Sequence, residues 1–341
     1  MKNIYYLFLG MVVAICCVSC NNEWEDEQYL HMASFKANVN AQGVTTTYVR
    51  YKPGGVVQYK LPIIISGSTV SDRPLNIQIA LDPDTLAVLN QNVYGHRQEL
   101  YFQQLPSQYY NMSETVEIPA GETTGVLPID FKLTEDLDQA DKWVLPLQIV
   151  DDPSLGYKAN PRKYFRRAML RLLPFNDYSG TYDAAQYLIH FKTDVDNKEP
   201  FTVSEQRAFV VDDRTVFIYA GTRDIDYLDR KLYKIFIRFP EEGNDTKQLE
   251  VWAENDELNF GPLTDADGKP LAFQSNFSMY SDMDELKPYL KKIFITMNLY
   301  YEFDDYTTVP GKRIRYKVQG SLSMQRNLNT LIPDEDQQVQ W

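Results

Sequence analysis

Apolar and polar positions alternate along much of this chain with a period of two, the pattern of strands that bury one face. Between residues 45 and 173 the β-rich segments are short: 48–51, 56–66, 75–81, 115–118, 126–133, 144–150 and 165–172. Turn residues separate them at the spacing of an all-β sandwich. Pro119-Ala120-Gly121-Glu122 reads as a hairpin or edge turn, because Gly relieves φ strain and Pro cannot donate. One helix start stands out. Asp82 can cap it, Pro83 suits the first helical position, and the run continues through Leu89.

The pattern breaks at Pro174-Phe175-Asn176-Asp177, and Tyr178-Ser179-Gly180-Thr181-Tyr182 opens a second set of strands. These are longer: 182–191, 208–211, 215–220, 231–239, 248–252, 271–277, 292–303 and 313–324. Within 292–303, Ile293, Ile295, Met297, Leu299, Tyr301 and Phe303 alternate with Lys292, Phe294, Thr296, Asn298, Tyr300 and Glu302. About eight antiparallel strands predict a small closed or nearly closed barrel, which removes edge strands; a second sandwich is the alternative. Residues 281–290 read as a short helix, and no internal repeat or low-complexity tract is present. The fold class is therefore all-β, with an Ig-like β-sandwich over 41–175 and an antiparallel β-barrel over 176–341.

The N-terminus changes the picture of where the protein resides. Lys2 gives a positive start, and residues 4–18 are apolar apart from tyrosine hydroxyls and Gly10. That run is shorter than the ~20 residues needed to span a bilayer and fits the h-region of a signal peptide. Cys17-Val18-Ser19-Cys20 resembles the bacterial lipobox, in which lipid joins the cysteine thiol and cleavage falls just before it. The lipobox usually has Leu where Cys17 stands. The expectation is a signal peptide over 1–19, lipid on Cys20, and an acidic tether over 20–40 that provides the only membrane contact. All three cysteines lie in the first 20 residues, so the mature body carries no disulfide and depends on its core. Residues 21–27 (Asn-Asn-Glu-Trp-Glu-Asp-Glu) also resemble the export signal of Bacteroidetes lipoproteins, which implies an outer-membrane protein facing the cell exterior.

Charge narrows the partners. The formal net charge is -13, and loss of Lys2 with the leader makes it -14. Such a surface repels nucleic acid and anionic lipid, and favours a neutral or cationic partner.

Family resemblance adds a class. In the first region, Tyr59-Lys60-Leu61-Pro62-Ile63, Ser66-Gly67-Ser68 and Asn76-Ile77-Gln78-Ile79-Ala80-Leu81-Asp82 are similar to a Bacteroidetes domain of unknown function. Leu105-Pro106, Tyr109-Tyr110, Ile118-Pro119-Ala120-Gly121-Glu122 and Leu145-Pro146-Leu147-Gln148-Ile149 extend the likeness. That domain recurs in polysaccharide-utilization lipoproteins and precedes the catalytic domain of certain family-18 glycosidases. The second region, opening Tyr178-Ser179-Gly180-Thr181-Tyr182, resembles a lipocalin-like domain often paired with it. The resemblance implies a cell-surface accessory like the SusE and SusF proteins, binding polysaccharide or oligosaccharide beside a SusC/SusD-like transporter.

Chemistry is sparse. The family-18 catalytic run of alternating Asp ending in Glu is absent. Asp265-Ala266-Asp267-Gly268 lacks the third acidic ligand and the Glu at position twelve of a calcium loop, and reads as a hairpin turn. His31, His96 and His190 stand in no metal-ligand spacing, and no phosphate loop or nucleophile elbow occurs, so no cofactor, metal or enzyme activity is expected. Aromatics make up 13% of the chain, with 24 Tyr, and most belong to strand cores. An outward ring can instead stack on the C–H face of a sugar. The candidates on that ground are Trp252, Phe294, Tyr300 and Tyr306, with Asn298 and Asp304 beside them for sugar hydroxyls. A fimbrial or adhesin subunit and an unrecognised glycoside hydrolase are the alternative functions.

Overall fold

The computed structural model describes residues 31–332 except 53, 135, 193–198 and 242–245. Cys20, the signal peptide and the first part of the tether lie outside the described residues.

Eleven strands build the first region: β1 (Met32–Phe35), β2 (Thr45–Arg50), β3 (Val56–Ser66), β4 (Leu75–Leu81), β5 (Phe102–Gln104), β6 (Tyr110–Met112), β7 (Thr115–Ile118), β8 (Thr124–Lys132), β9 (Lys142–Ile149), β10 (Lys158–Ala159) and β11 (Arg167–Phe175). One sheet runs β10-β1-β3-β8-β6; the other runs β2-β11-β9-β4-β7, with β5 also on β9. Alternate residues of both sheets, among them Leu61, Ile63, Ile77, Leu127, Ile129, Leu145, Leu147 and Leu170, meet in one core. This is a β-sandwich, as the period-two pattern predicts. It begins earlier than the sequence indicates. Ala33 and Phe35 of β1 are buried in its core, inside the span read as tether, because β1 pairs with β3 from Met32 onward.

Helix α1 (Pro83–Tyr94) starts where its cap predicts. The Asp82 carboxylate accepts from the Thr85 amide at 3.1 Å and pairs with Arg167 at 2.6 Å. Leu86, Leu89 and Tyr94 of α1 cover the outer face of the second sheet through Val44, Phe102, Val144 and Met169.

The break at residues 174–177 is an Asx turn. The Asn176 side-chain oxygen accepts from the Tyr178 and Ser179 amides at 2.9 and 2.7 Å. Beyond it come β12 (Gly180–Phe191), β13 (Phe201–Thr202), β14 (Glu205–Val210), β15 (Thr215–Tyr219), β16 (Lys234–Arg238), β17 (Glu250–Trp252), β18 (Asn276–Met283), β19 (Leu290–Asp305) and β20 (Ile314–Asn329). Their order is β17-β16-β15-β14-β12-β20-β19-β18. The ring closes through the Gln248–Asn276 bridge, with Leu249 N–H donating to the Ser275 carbonyl and Phe277 N–H to that of Lys247, both at 2.9 Å. Apart from short β13 and the pairing of the first strand β12 with the last strand β20, neighbours in the ring are neighbours in sequence, so the second region is an up-and-down barrel. Rings fill its interior: Tyr182, Tyr187, Tyr233, Tyr301, Phe239 and Phe303 are each at most 1% exposed.

Gly320 lies inside β20 at φ +138°, where a Cβ would run into the Gln186 carbonyl oxygen. Only glycine suits that crossing of β12 and β20.

Two local expectations fail. Residues 281–290 are not a helix: β18 continues to Met283, and the Asp284 carboxylate then accepts from the Leu286 and Lys287 amides, fixing a turn. The strand read as 271–277 starts only at Asn276.

Candidate functional site

The longest pairing in the molecule joins β19 and β20 in unbroken register from Leu290–Asn329 to Asp305–Ile314. Ile295, Met297, Leu299, Tyr301 and Phe303 point into the barrel core. Their alternates Phe294, Thr296, Asn298 and Tyr300 therefore stand on the outside. Register aligns them with the flanking strands as rows: Tyr280–Phe294–Gln325, Ser278–Thr296–Ser323 and Asn276–Asn298–Ser321.

Two ring pairs bracket this face. Tyr280 and Phe294 stack with centroids 4.8 Å apart, and Phe273 and Tyr300 stack at 5.5 Å. Tyr280 is 61% exposed and Phe273 60%. Phe294 and Tyr300 are six positions apart on one strand, so the pairs lie about 20 Å apart at ~3.3 Å per residue. Between them the Asn298 amide donates to the Asn276 side-chain oxygen at 2.8 Å, and the Thr296 and Ser323 hydroxyls lie 3.3 Å apart. Across β18, β19 and β20 the two middle rows hold amides and hydroxyls, and the exposed carboxylate of Asp183 on β12 lies beside Ser323. Such a face can stack apolar ring faces at both ends and exchange hydrogen bonds in the middle.

Of the residues singled out from sequence, Phe294, Asn298 and Tyr300 meet here, and three others do not. Asp304 is buried and pairs with Arg315 at 3.0 Å. Tyr306 is a strut: its hydroxyl accepts from Asn255 at 2.9 Å and its ring stacks on Tyr233 at 5.7 Å. Trp252 faces outward, but on another flank, stacked on Phe236 at 5.4 Å with the Arg238 guanidinium 4.9 Å from its ring. The face also holds Phe273, Asn276, Ser278, Tyr280, Thr296, Ser321 and Ser323, which sequence reasoning missed. The alternation Phe277, Ser278, Met279, Tyr280 carried the signal for Tyr280.

Trp252 belongs to a second outward row, Phe209, Phe217 and Phe236, which packs with Ala140 of the sandwich and is buried. Around it Lys231 pairs with Asp141 at 2.6 Å and Lys234 with Asp138 at 2.7 Å, tying barrel to sandwich.

At the barrel rim, buried ion pairs fix the end of β19. Glu302 meets Lys192 at 2.7 Å and Arg315 at 3.2 Å; burial alone would raise its carboxyl, but hydrogen bonds from Lys192 and Thr264 bring it below the usual range. Asp305 meets Arg223 at 3.0 Å. Burial opposes its charge, yet hydrogen bonds from Thr308 and Arg223 outweigh that and hold the carboxyl at about 2. Asp265-Ala266-Asp267-Gly268 is a tight turn, with the Asp265 carboxylate accepting from the Asp267 and Lys269 amides. No group of three or more metal-ligating side chains occurs among the described residues.

A β-sandwich followed by an up-and-down barrel with a filled interior defines the class to which known proteins can be compared. The domain of unknown function DUF4973 matches residues 24–153, and a second family, described only as a "-like" C-terminal domain, matches residues 166–323. A Bacteroides ovatus protein of unknown function is 38% identical, with 91% of this chain and 100% of that one covered at a TM-score of 0.78. A B. ovatus multidomain protein including DUF1735 is also 38% identical, with 92% and 100% covered and a TM-score of 0.78. An auxiliary nutrient binding protein from Bacteroides thetaiotaomicron VPI-5482 is 35% identical, with 90% and 100% covered and a TM-score of 0.77. The chain belongs to the family that these Bacteroides proteins form. No curated protein matches it.

Proposed function

We propose that the protein is a non-catalytic surface lipoprotein that holds neutral glycan for a polysaccharide-uptake system, in the manner of SusE and SusF. The observation that carries this reading is the outer face of β18–β20, where two exposed ring pairs flank uncharged amides and hydroxyls. The relative described as an auxiliary nutrient binding protein supports it. On this reading lipid on Cys20 anchors the chain to the outer face of the outer membrane, beside a SusC/SusD-like transporter. Labelled palmitate should appear on the wild type and vanish in Cys20→Ser; label retained by that variant sinks the anchor.

Calorimetry against neutral and charged polysaccharides, at low and high salt, tests the binding. Neutral glycan should bind weakly and without salt dependence, since no ion pair is screened. Each stacked ring contributes about 1 kcal/mol, so Tyr280→Ala with Tyr300→Ala should weaken binding roughly thirtyfold. Absence of neutral-glycan binding, or release of reducing sugar by the purified protein, overturns the reading.

A further inference from the structure

The two ring pairs on the outer face of β18–β20 belong to one rigid frame. Phe294 and Tyr300 lie on the same strand, and β19 stays in unbroken register with β20 across all the positions between them. Backbone geometry, not side-chain freedom, therefore sets their separation of about 20 Å at ~3.3 Å per residue. The open ring of each pair comes from the β18 side. Tyr280 belongs to β18 itself, and Phe273 to the connection that leads into it. Both open rings thus flank one track along β18 and β19.

The track between them is polar. Outward positions recur at every second residue, so Phe294, Thr296, Asn298 and Tyr300 follow one another at about 7 Å. Exposed Ser278 and Ser323 stand on either side of Thr296, and Asn276 and Ser321 on either side of Asn298. Asp183 of β12, also exposed, pairs with Ser323. Its carboxylate and the negative charge of the whole chain disfavour a uronate or a sulfated sugar on this track.

A short sugar can rest on one ring pair. Only an extended chain of about 20 Å can rest on both, and its second contact is then intramolecular. Because the strands already hold the pairs in place, little ordering of the protein opposes that second contact.

We propose that this face is one elongated site for a linear stretch of uncharged glycan at least about 20 Å long, held at both ring pairs by the same chain. The proposal rests on the glycan-binding reading above and adds the form of the ligand: an extended run, not a single sugar.

A length series tests it. Each neutral polysaccharide that binds in calorimetry is cut by partial acid hydrolysis into a ladder from the disaccharide upward, and every member is titrated into the mature protein. The dissociation constant should fall abruptly, by roughly tenfold or more, at the first member whose extended length reaches about 20 Å, and change little beyond it. Tyr280→Ala and Phe273→Ala each remove one open ring at an exposed position. Either variant should bring the long members back to the affinity of the short ones. The short members themselves should weaken by no more than about twofold, because one of the two ring pairs remains. Affinity that climbs evenly with length, or a step that survives in either variant, overturns this proposal and leaves the glycan reading standing. If neither the polysaccharides nor any ladder member binds, both are overturned.

Discussion

The barrel wears two outward rows of aromatic side chains, and they have opposite fates. Phe209, Phe217 and Phe236, on β14 to β16, are buried against Ala140 and stitched to the sandwich by Lys231–Asp141 and Lys234–Asp138. Tyr280 and Phe294, with Phe273 and Tyr300, stand on the opposite part of the ring with Tyr280 and Phe273 largely open. In sequence both rows are simply aromatics at outward positions of alternating strands. What separates them is whether another part of the chain covers them. A covered row contributes stability, whereas an open row retains surface that a ligand can cover.

Substitution should widen that contrast. Phe217→Ala removes a ring at 2% exposure that contacts Phe209 and Phe236, and should cost about 3–5 kcal/mol in denaturant unfolding. A loss similar to that at an exposed site would mean the covered row is not a working interface. The next effect concerns the rim that links the two flanks. Asp305, at the end of β19, holds Arg223, which lies in the same β15–β16 connection as Arg230. Its carboxyl sits at about 2 against an ordinary 3.8, so its contribution is complete above pH 4 and is lost as pH falls toward 2. At 1.36 kcal/mol per unit the shift corresponds to about 2 kcal/mol. Asp305→Asn should remove that part of the acid sensitivity; an unchanged acid-unfolding curve contradicts it. The smallest effect belongs to the open row. Tyr280→Ala should change stability by less than about 0.5 kcal/mol, and a larger loss would show that its ring is structural.

The sequence made the strands of the open face readable but not their neighbours. The alternation over 292–303 places Phe294, Asn298 and Tyr300 on one side, and the register of β19 confirms that side as outward. Tyr280 escaped because the turn on Asp284 looks locally like the start of a helix, whereas its partners are set by pairing with β19. Asp304 and Tyr306 were misjudged for a related reason. Arg315 and Asn255, which occupy them, sit 11 and 51 positions away along the chain. Trp252 does point outward, but local pattern carries no record of Phe236 or the cover beside it. The cap of α1 succeeded because Asp82, Pro83 and Thr85 are all within one turn.

The filled interior has a kinetic consequence. With Tyr187, Tyr301 and Phe303 occupying the space that a calyx would leave open, the barrel cannot detain a ligand by enclosing it. A molecule resting on the outer rings leaves without any gate having to open. For a dissociation constant of about 1 mM and association on the order of 10⁶ M⁻¹s⁻¹, it stays roughly a millisecond. On the proposed reading, such short dwell times suit passing a long glycan along in successive brief contacts rather than storing it.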